Sequence, residues 1–276
     1  MAEPSLFMRC VLDFNCKNVK DDFLMRILLT NDDGIQAIGL RSLYKALVEA
    51  GHDVACVAPV TEQSAVGHAV TIASPLRVKQ FHEENFSGLG VSGTPADCVK
   101  IGLTTLLETP PDIVVSGINS GANVGVDILY SGTVSAATEG ALMGYPALAV
   151  SYDDFAPVDL LPQGRYVASF LDTIDWSTLP QFRVLNLNFP KHSIDEVKGL
   201  KLCPQTDATY EDWFEEKKDP RGRSYYWLDG VIPAERVAPD SDRGLLTQGY
   251  ITLTPLRFDF TDHETLSSLE SHLNLS

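Results

Sequence analysis

The sequence has few cysteines and histidines, and neither type is spaced as a common metal or redox motif. Five cysteines occur in 276 residues without a C-x-x-C pair, and the six histidines form neither an H-x-H nor an H-E-x-x-H pattern. These absences exclude a disulfide framework and a locally encoded zinc site, and we expect reduced thiols. A histidine-rich zinc site would have to be assembled from distant segments.

Long apolar runs and an excess of positive charge are also absent. No apolar run approaches the roughly 18 residues that a membrane span requires, and Glu3 and Arg9 lie where a signal peptide needs an apolar stretch. The formal net charge is -16, which argues against broad attraction to nucleic acid polymers or anionic lipid. We expect a cytoplasmic protein that binds neither nucleic acid polymers nor membranes and acts on small or metal-screened substrates.

The chain divides into three parts by pattern. Residues 1–24 show no clear period, so we expect a loosely ordered extension, and Met25, which begins a clean strand pattern, is a candidate for the natural start. From 25 to 190 strands and helices alternate, which predicts an α/β core with a mostly parallel, doubly wound sheet. Residues 191–276 break that rhythm and predict a β-rich region followed by a C-terminal helix.

Particular residues set the predicted helices. Leu40, Leu43, Leu47 and Val48 mark one apolar face of the first helix. In the second helix Thr94 is the predicted N-cap, followed by proline and by an acidic first turn. Two further helices are predicted over about 133–143 and 166–174.

The last third contains two predicted antiparallel strands, SYYWLDG and YITLTPL. We expect the intervening segment TDATYEDWFEEKKDPRGR to be a polar connection. Thr261 and Glu264 have the spacing of a capping box before LSSLESHL. In DPRGRSYYW, Arg221 and Arg223 either reach a phosphate or, as we favour, solvate a hairpin.

Three polar segments follow predicted strands, where the ligands of open α/β sheets bind. Asp32 and Asp33 follow the first strand, Ser64 lies after the second, and Asn119 follows DIVVSG. Adjacent carboxylates repel each other and are costly to bury unpaired, so a cation is expected nearby. An all-oxygen ligand set favours Mg²⁺ or Mn²⁺. The alternative is that Asp32 or Asp33 caps the following helix.

The segment YSGTVSAATEG is a second candidate site. Ser131, Gly132 and Thr133 lie at a predicted helix start, where free amides and hydroxyls bind phosphate. Considered alone, Thr133 is more simply explained as an N-cap. His68 is four residues past Ser64, and we expect a structural partner for it rather than a catalytic role.

Other enzyme classes are excluded by spacing. The position two before Asp32 is Thr30, so the D-x-D pair of the haloacid-dehalogenase phosphatases is missing. The P-loop, the G-x-S-x-G elbow and the dinucleotide fingerprint are absent as well. Kinase, serine-hydrolase and NAD-dependent functions are therefore not predicted.

Taken in order, the motifs resemble the SurE family of metal-dependent 5′/3′-nucleotidases. The similarity runs from MRILLTNDDGI through EQSAVGHAVT, GTPADCV, SGINSGANVGVDILYSGTVSAATEG and VLNLNFP to GYITLTPL. Departures are few: DSDRGLLTQGY is altered from the family's usual run, which bears on the local loop and subunit packing, and residues 1–24 lie outside the similarity. The resemblance implies a Rossmann-like core, with Asp32, Asp33, Ser64 and Asn119 as ligands of one metal ion per subunit.

The resemblance also implies an activity and an assembly. It implies hydrolysis of nucleoside monophosphates, in some members also of other phosphomonoesters or short polyphosphate, and a homodimer or homotetramer formed through the C-terminal region. Asp32 and Asp33 are the predicted catalytic residues. The predicted phosphate and substrate contacts are Asn31, Gly117, Asn123, Ser131, Gly132 and Thr133. Two alternatives stay open, a covalent phosphoserine at Ser64 and a metal-nucleotide sensor without turnover.

Overall fold

The computed structural model describes residues 25–157 and 159–273. The predicted extension 1–24 lies outside the described residues. The strands are β1 (Arg26–Thr30), β2 (Asp53–Pro59), β3 (Val78–Glu83), β4 (Phe86–Val91), β5 (Ile113–Ser120), β6 (Ala147–Tyr152), β7 (Arg183–Phe189), β8 (Leu200–Leu202), β9 (Glu211–Lys218), β10 (Ser224–Val231) and β11 (Ile251–Arg257). The α-helices are α1 (Ile38–Glu49), α2 (Pro95–Ile101), α3 (Gly132–Leu142), α4 (Leu161–Leu171), α5 (Asp242–Thr247) and α6 (His263–Leu273).

One large sheet organises the chain. Its nine strands lie in the order β3-β4-β2-β1-β5-β6-β7-β11-β8. The pairings from β4 to β7 are parallel, whereas β3 is antiparallel to β4 and β11 is antiparallel to β7. β9 and β10 form a separate antiparallel hairpin. The predicted mostly parallel α/β fold with a β-rich C-terminal part is confirmed.

Helices cover both faces of this sheet. α1 packs on α4, and α2 packs on α3. α1 buries Leu40, Leu43 and Leu47 completely, but Val48 is 47% exposed, so its predicted inward orientation is wrong. Gly39 lets α1 approach β5, because a Cβ at Gly39 would lie 1.9 Å from the Ile118 carbonyl oxygen. In the part of the chain that the structure describes, no helix is both long and apolar enough to cross a bilayer.

Three helix ends differ from the predictions. Thr94 caps α2 in a complete capping box, as predicted, but α3 is capped by Ser131 rather than by Thr133. α4 begins at Leu161, because a proline in its first turn supplies a helical start that the apolar pattern alone did not reveal. Before α6 it is Asp262 that accepts the Thr265 amide, at 3.0 Å, so the predicted cap at Thr261 is one residue too early.

Several strands were not predicted. The β3–β4 hairpin covers the edge next to β2, and its exposed, charge-rich first strand lacks an apolar run. The segment predicted as a polar connection contains β9, so that prediction is wrong. The strand was missed because Glu211–Lys218 is mostly charged, every residue of it is exposed, and no buried face marks it. The sheet also continues past residue 190 through β8 and β11, while the division of the chain at that residue stays a prediction.

Candidate active site

The Asp32–Asp33 pair lies in a turn at the carboxyl end of β1. The Asn31 side-chain amide donates to the Gly34 carbonyl oxygen at 3.0 Å, and Gly34 has a φ of +100°, which closes the turn. Asp32 is 5% exposed, and Asp33 is half-buried. The N-cap of α1 is Ala37, without a side-chain cap, so the alternative that Asp32 or Asp33 caps this helix is wrong.

Asp32 is a buried carboxylate held by the start of α3. Its Oδ1 accepts a hydrogen bond from the Thr133 hydroxyl. Burial raises the pKa of Asp32 from 3.8 to about 6, an effect that Thr133 opposes and the charge of Asp33 reinforces. A Cβ at Gly132 would lie 2.7 Å from the Asp32 Cβ, so the helix start is packed directly against this side chain.

Asp33 points toward the end of β5. Its Oδ2 accepts the Ser120 amide at 2.9 Å. Burial raises the pKa of Asp33, the hydrogen bond from Ser120 lowers it, and the nearby Glu62 charge raises it further. Among the described residues, no Lys, Arg or His lies within salt-bridge distance of Asp32 or Asp33. Two neighbouring carboxylates thus share a partly buried position without a cation from the protein.

Asn119 reaches the same edge through an irregularity in β5. The register between β5 and β6 shifts between Ser116 and Asn119, and such bulges re-aim side chains. Gly117 permits the shift, because a Cβ there would lie 2.3 Å from the Val150 carbonyl oxygen. The Asn119 side-chain nitrogen donates to the Gly121 carbonyl oxygen at 2.7 Å, so the amide oxygen is the atom that would bind a cation.

Ser64 lies in the loop after β2, which contacts the aspartate turn. The Gln63 amide donates to the Asp32 carbonyl oxygen at 2.8 Å, so the loop is anchored one residue before Ser64. Ser64 is exposed, and its hydroxyl donates to Glu62 Oε1 at 2.5 Å. The structure therefore brings the loops that carry Asp32, Asp33, Ser64 and Asn119 to one edge of the sheet.

This arrangement fits a hard divalent cation. Two carboxylates, a hydroxyl and an amide oxygen are the ligand types of Mg²⁺ or Mn²⁺. The buried Asn31 Oδ1 has no hydrogen-bond partner in the described structure. The residues that the structure describes contain no group of three or more His, Cys, Asp or Glu side chains able to hold a metal ion, so the serine and asparagine oxygens would be needed to complete this site. A cation would offset the cost of burial, and the smaller repulsion from Asp33, that raise the pKa of Asp32.

The predicted phosphate contacts lie around the start of α3. Ser131 Oγ accepts the Val134 amide at 3.0 Å, and the Thr133 hydroxyl is bound to Asp32. Both hydroxyls are thus engaged within the protein, and the amides at the N-terminus of α3 are the groups suited to an anion. Gly132 brings this helix end against Asp32.

The remaining predicted contacts have structural partners. Asn123 is buried, its side-chain nitrogen donates to Ser151 Oγ at 2.8 Å, and its main-chain amide donates to Asn188 Oδ1 at 2.8 Å. Asn31 closes the aspartate turn, and Gly117 allows close packing of β5 on β6. These contacts show how the three residues support the site, and direct substrate contact by them stays a prediction.

Three features of the site were missing from the sequence predictions. Glu62 and the Ser120 amide flank Asp33, and buried Glu139 on α3 pairs with His68 at 2.9 Å. The acidic residue in YSGTVSAATEG was the available signal for Glu139.

The arginine of the β9–β10 turn has a partner within the hairpin. Arg223 binds Asp219 at 2.8 Å, in agreement with the favoured hairpin role.

Comparisons with known proteins agree with this architecture. A family profile described as "Survival protein SurE" matches residues 27–212. A curated relative from Solidesulfovibrio magneticus, named 5′-nucleotidase SurE, is 68% identical over 251 residues, covering 91% of this chain and 98% of that protein. A relative of the same name from Petrotoga mobilis is 46% identical over 253 residues, covering 91% of this chain and 100% of its own.

A solved structure supports the fold independently. The crystal structure of the SurE protein from Aquifex aeolicus superposes with a TM-score of 0.77 at 33% identity, covering 89% of this chain and 98% of that one. The profile and the relatives span the sheet edge that carries the aspartate pair. The chain belongs to the SurE family.

Proposed function

We propose that this protein hydrolyses nucleoside 5′-monophosphates to nucleoside and phosphate with one divalent cation, Mg²⁺ or Mn²⁺, per subunit. Asp32, Asp33, Ser64 and Asn119 would hold the cation. The observation that carries the proposal is the adjacent carboxylate pair, packed against the N-terminus of α3 without an ion-pair partner in the described chain. The name of the similar proteins, 5′-nucleotidase SurE, supports the same activity.

The chain's own groups account for binding and proton transfer. A bound divalent cation would supply Lewis-acid polarisation of the phosphate and a more acidic water. Asp32 or Asp33 accepts the proton of the attacking water, because both are carboxylates whose pKa is raised by burial toward the neutral range. The amides at the start of α3 bind phosphate oxygens and stabilise the charge that develops on them. They also offset the repulsion between an anionic substrate and a protein of net charge -16.

The proposal predicts metal-dependent phosphate release. Purified protein is incubated with a panel of nucleoside 5′- and 3′-monophosphates and short polyphosphate, with Mg²⁺, with Mn²⁺ or with a chelator. We expect release from 5′-monophosphates with metal and a loss of at least about 100-fold with chelator, because both polarisation and water activation are removed. The same panel tests the proposed 3′-nucleotidase and polyphosphatase activities.

Three other results have definite meanings. Saturable nucleotide binding without phosphate release, in folded and metal-loaded protein, would support the sensor alternative and contradict the enzyme. Transfer of ³²P from labelled substrate to Ser64 would contradict direct attack by water and support the covalent route. Undiminished release with chelator would contradict the metal requirement.

We also propose a homodimer or homotetramer built through the C-terminal region, in a cytoplasmic protein. The β9–β10 hairpin exposes aromatic side chains, among them Phe214, Tyr226 and Trp227, each at least 60% exposed. α6 presents Leu266, Leu269 and Leu273, which are 45–60% exposed. The register of β9 and β10 puts Phe214 and Tyr226 on one face of the hairpin and Trp227 on the other, so both faces expose apolar surface. Large exposed apolar surfaces mark protein interaction sites.

Assembly through these surfaces is tested by sedimentation. We expect wild-type protein to sediment as a dimer or tetramer and the double variant Phe214→Ser, Trp227→Ser to form a smaller species, because the apolar hairpin contact is lost. Ile72→Ser is the matched control, since Ile72 is 89% exposed but lies in the loop before β3. A monomeric wild type would contradict the assembly.

A further inference from the structure

Glu139 is a buried carboxylate on α3 that joins three elements. Its side chain is 7% exposed, Oε2 lies 2.9 Å from His68 Nε2, and Oε1 accepts from Lys100 Nζ. His68 belongs to the loop that carries Ser64, whereas Lys100 belongs to α2. Each carboxylate oxygen therefore binds a different neighbouring segment, and the two contacts are separable by mutation.

The loop from 60 to 71 depends on such anchors because it contains no helix or strand. Ala65 has a φ of +55° and Gly67 a φ of +58°, so the chain turns sharply just after Ser64. Its main chain is held by Gln63 to Asp32 at 2.8 Å and by Gly67 to Tyr130 at 3.0 Å. The His68–Glu139 contact adds a side-chain anchor four residues after Ser64.

The same helix thus binds both sides of the proposed metal site. Thr133, one residue after the start of α3, binds the Asp32 carboxylate, and Glu139, six residues later, binds the Ser64 loop through His68. Because a helix is rigid over this length, the position of the loop is fixed relative to Asp32.

We propose that Glu139 and His68 are positioning residues that hold Ser64 in place to complete the metal site. This inference rests on the proposed function, since it assigns a role toward the same cation. Residues that orient a metal ligand influence the affinity for the metal without contacting the metal themselves. Neither residue is assigned contact with substrate.

Lys100 provides the matched control. A buried carboxylate is costly when it loses a hydrogen-bond or ion-pair partner, so loss of either Lys100 or His68 is expected to reduce stability. Loss of His68 removes a side-chain anchor of the Ser64 loop itself, whereas Lys100 binds the same carboxylate from α2. Metal affinity therefore separates positioning from general support of the fold.

The experiment compares Mn²⁺ binding by calorimetry in wild-type protein and in the variants His68→Ala, His68→Gln and Lys100→Met. Thermal unfolding without metal is measured alongside. We expect His68→Ala to weaken Mn²⁺ binding about 10-fold, which is the lower end of the range of affinity losses seen when residues that orient metal ligands are replaced. Lys100→Met should change it less than about 2-fold, well below that range. His68→Gln, which retains an N–H donor for Glu139, should restore most of the affinity.

Three outcomes would overturn the inference. Wild-type affinity in His68→Ala would show that the contact does not position Ser64. Equal losses in His68→Ala and Lys100→Met, with equal shifts in unfolding, would reduce the role of Glu139 to fold stability. If wild-type protein itself binds no Mn²⁺, the proposed metal site fails, and the positioning role fails with it.

Discussion

Asp32→Asn is expected to reduce both phosphate release and Mn²⁺ affinity by at least about 100-fold. This loss exceeds the one usually seen when a residue that only orients a metal ligand is replaced. The substitution removes a proposed metal ligand and one of the two candidate proton acceptors. The fold should be retained, because an asparagine oxygen still accepts the Thr133 hydroxyl that binds Asp32 Oδ1. Phosphate release at saturating Mn²⁺ and calorimetry measure the two effects.

The same variant has a pH-dependent effect on stability in metal-free protein. Burial raises the pKa of Asp32 from 3.8 to about 6, so the folded state binds more protons than the unfolded state between these values. The free energy of unfolding of the wild type therefore falls as pH rises from about 4 to about 6. The penalty above pH 6 is about 3 kcal/mol, from roughly two pKa units.

Asp32→Asn removes this titration. Metal-free variant should equal or exceed the wild type in stability above pH 6, and saturating Mn²⁺ should stabilise only the wild type. Denaturant unfolding at pH 4 and pH 7, with and without Mn²⁺, measures both differences. If Asp32→Asn releases phosphate at the wild-type rate, the assignment of Asp32 to the active site is contradicted.

Gly132→Ala is expected to disrupt the site by steric conflict. The new Cβ would lie 2.7 Å from the Asp32 Cβ and 2.8 Å from its Oδ2, so either the helix start or the carboxylate must move. We expect a loss of about 10- to 100-fold in phosphate release, comparable to displacing an orienting partner of a metal ligand. Overpacking should also cost about 1–3 kcal/mol of stability.

Gly140→Ala on the same helix is the control. A Cβ at Gly140 would lie 2.8 Å from the Val114 Cβ, an equal conflict that falls in the apolar core instead of at the carboxylates. Its stability loss should match that of Gly132→Ala, whereas its turnover at a temperature where both are folded should stay near wild type. Equal turnover in the two variants would contradict a role for the start of α3.

The sequence predicted most of the central sheet because its strands are short apolar runs between clear turn signals. These runs form β1, β2, β5, β6, β7 and β11, as predicted. Outside this sheet, SYYWLDG was predicted as a strand and forms β10, although β10 is nearly as exposed as its partner β9. β9 was missed because its sequence EDWFEEKK is mostly charged, so no apolar run marks it. Local patterns therefore indicated the apolar strands and left a charge-rich strand undetermined.

For the site, adjacent carboxylates in NDDG identified the turn, and parallel strands ending at one edge indicated which loops meet there. The side-chain partners were beyond the sequence. Thr133 was predicted as a phosphate contact, or considered alone as a helix cap, yet its hydroxyl binds Asp32 across 101 positions. Glu139 meets His68 across 71 positions. Such contacts depend on how α3 packs against the sheet, which no local spacing encodes.

The most direct test of the central claim is an anomalous difference map from crystals containing Mn²⁺. The account predicts one peak per subunit within ligating distance of the carboxylates of Asp32 and Asp33, Ser64 Oγ and Asn119 Oδ1. A peak at a different group of side chains would contradict it. The absence of any peak would also contradict it, provided that protein redissolved from the same crystals releases phosphate in Mn²⁺.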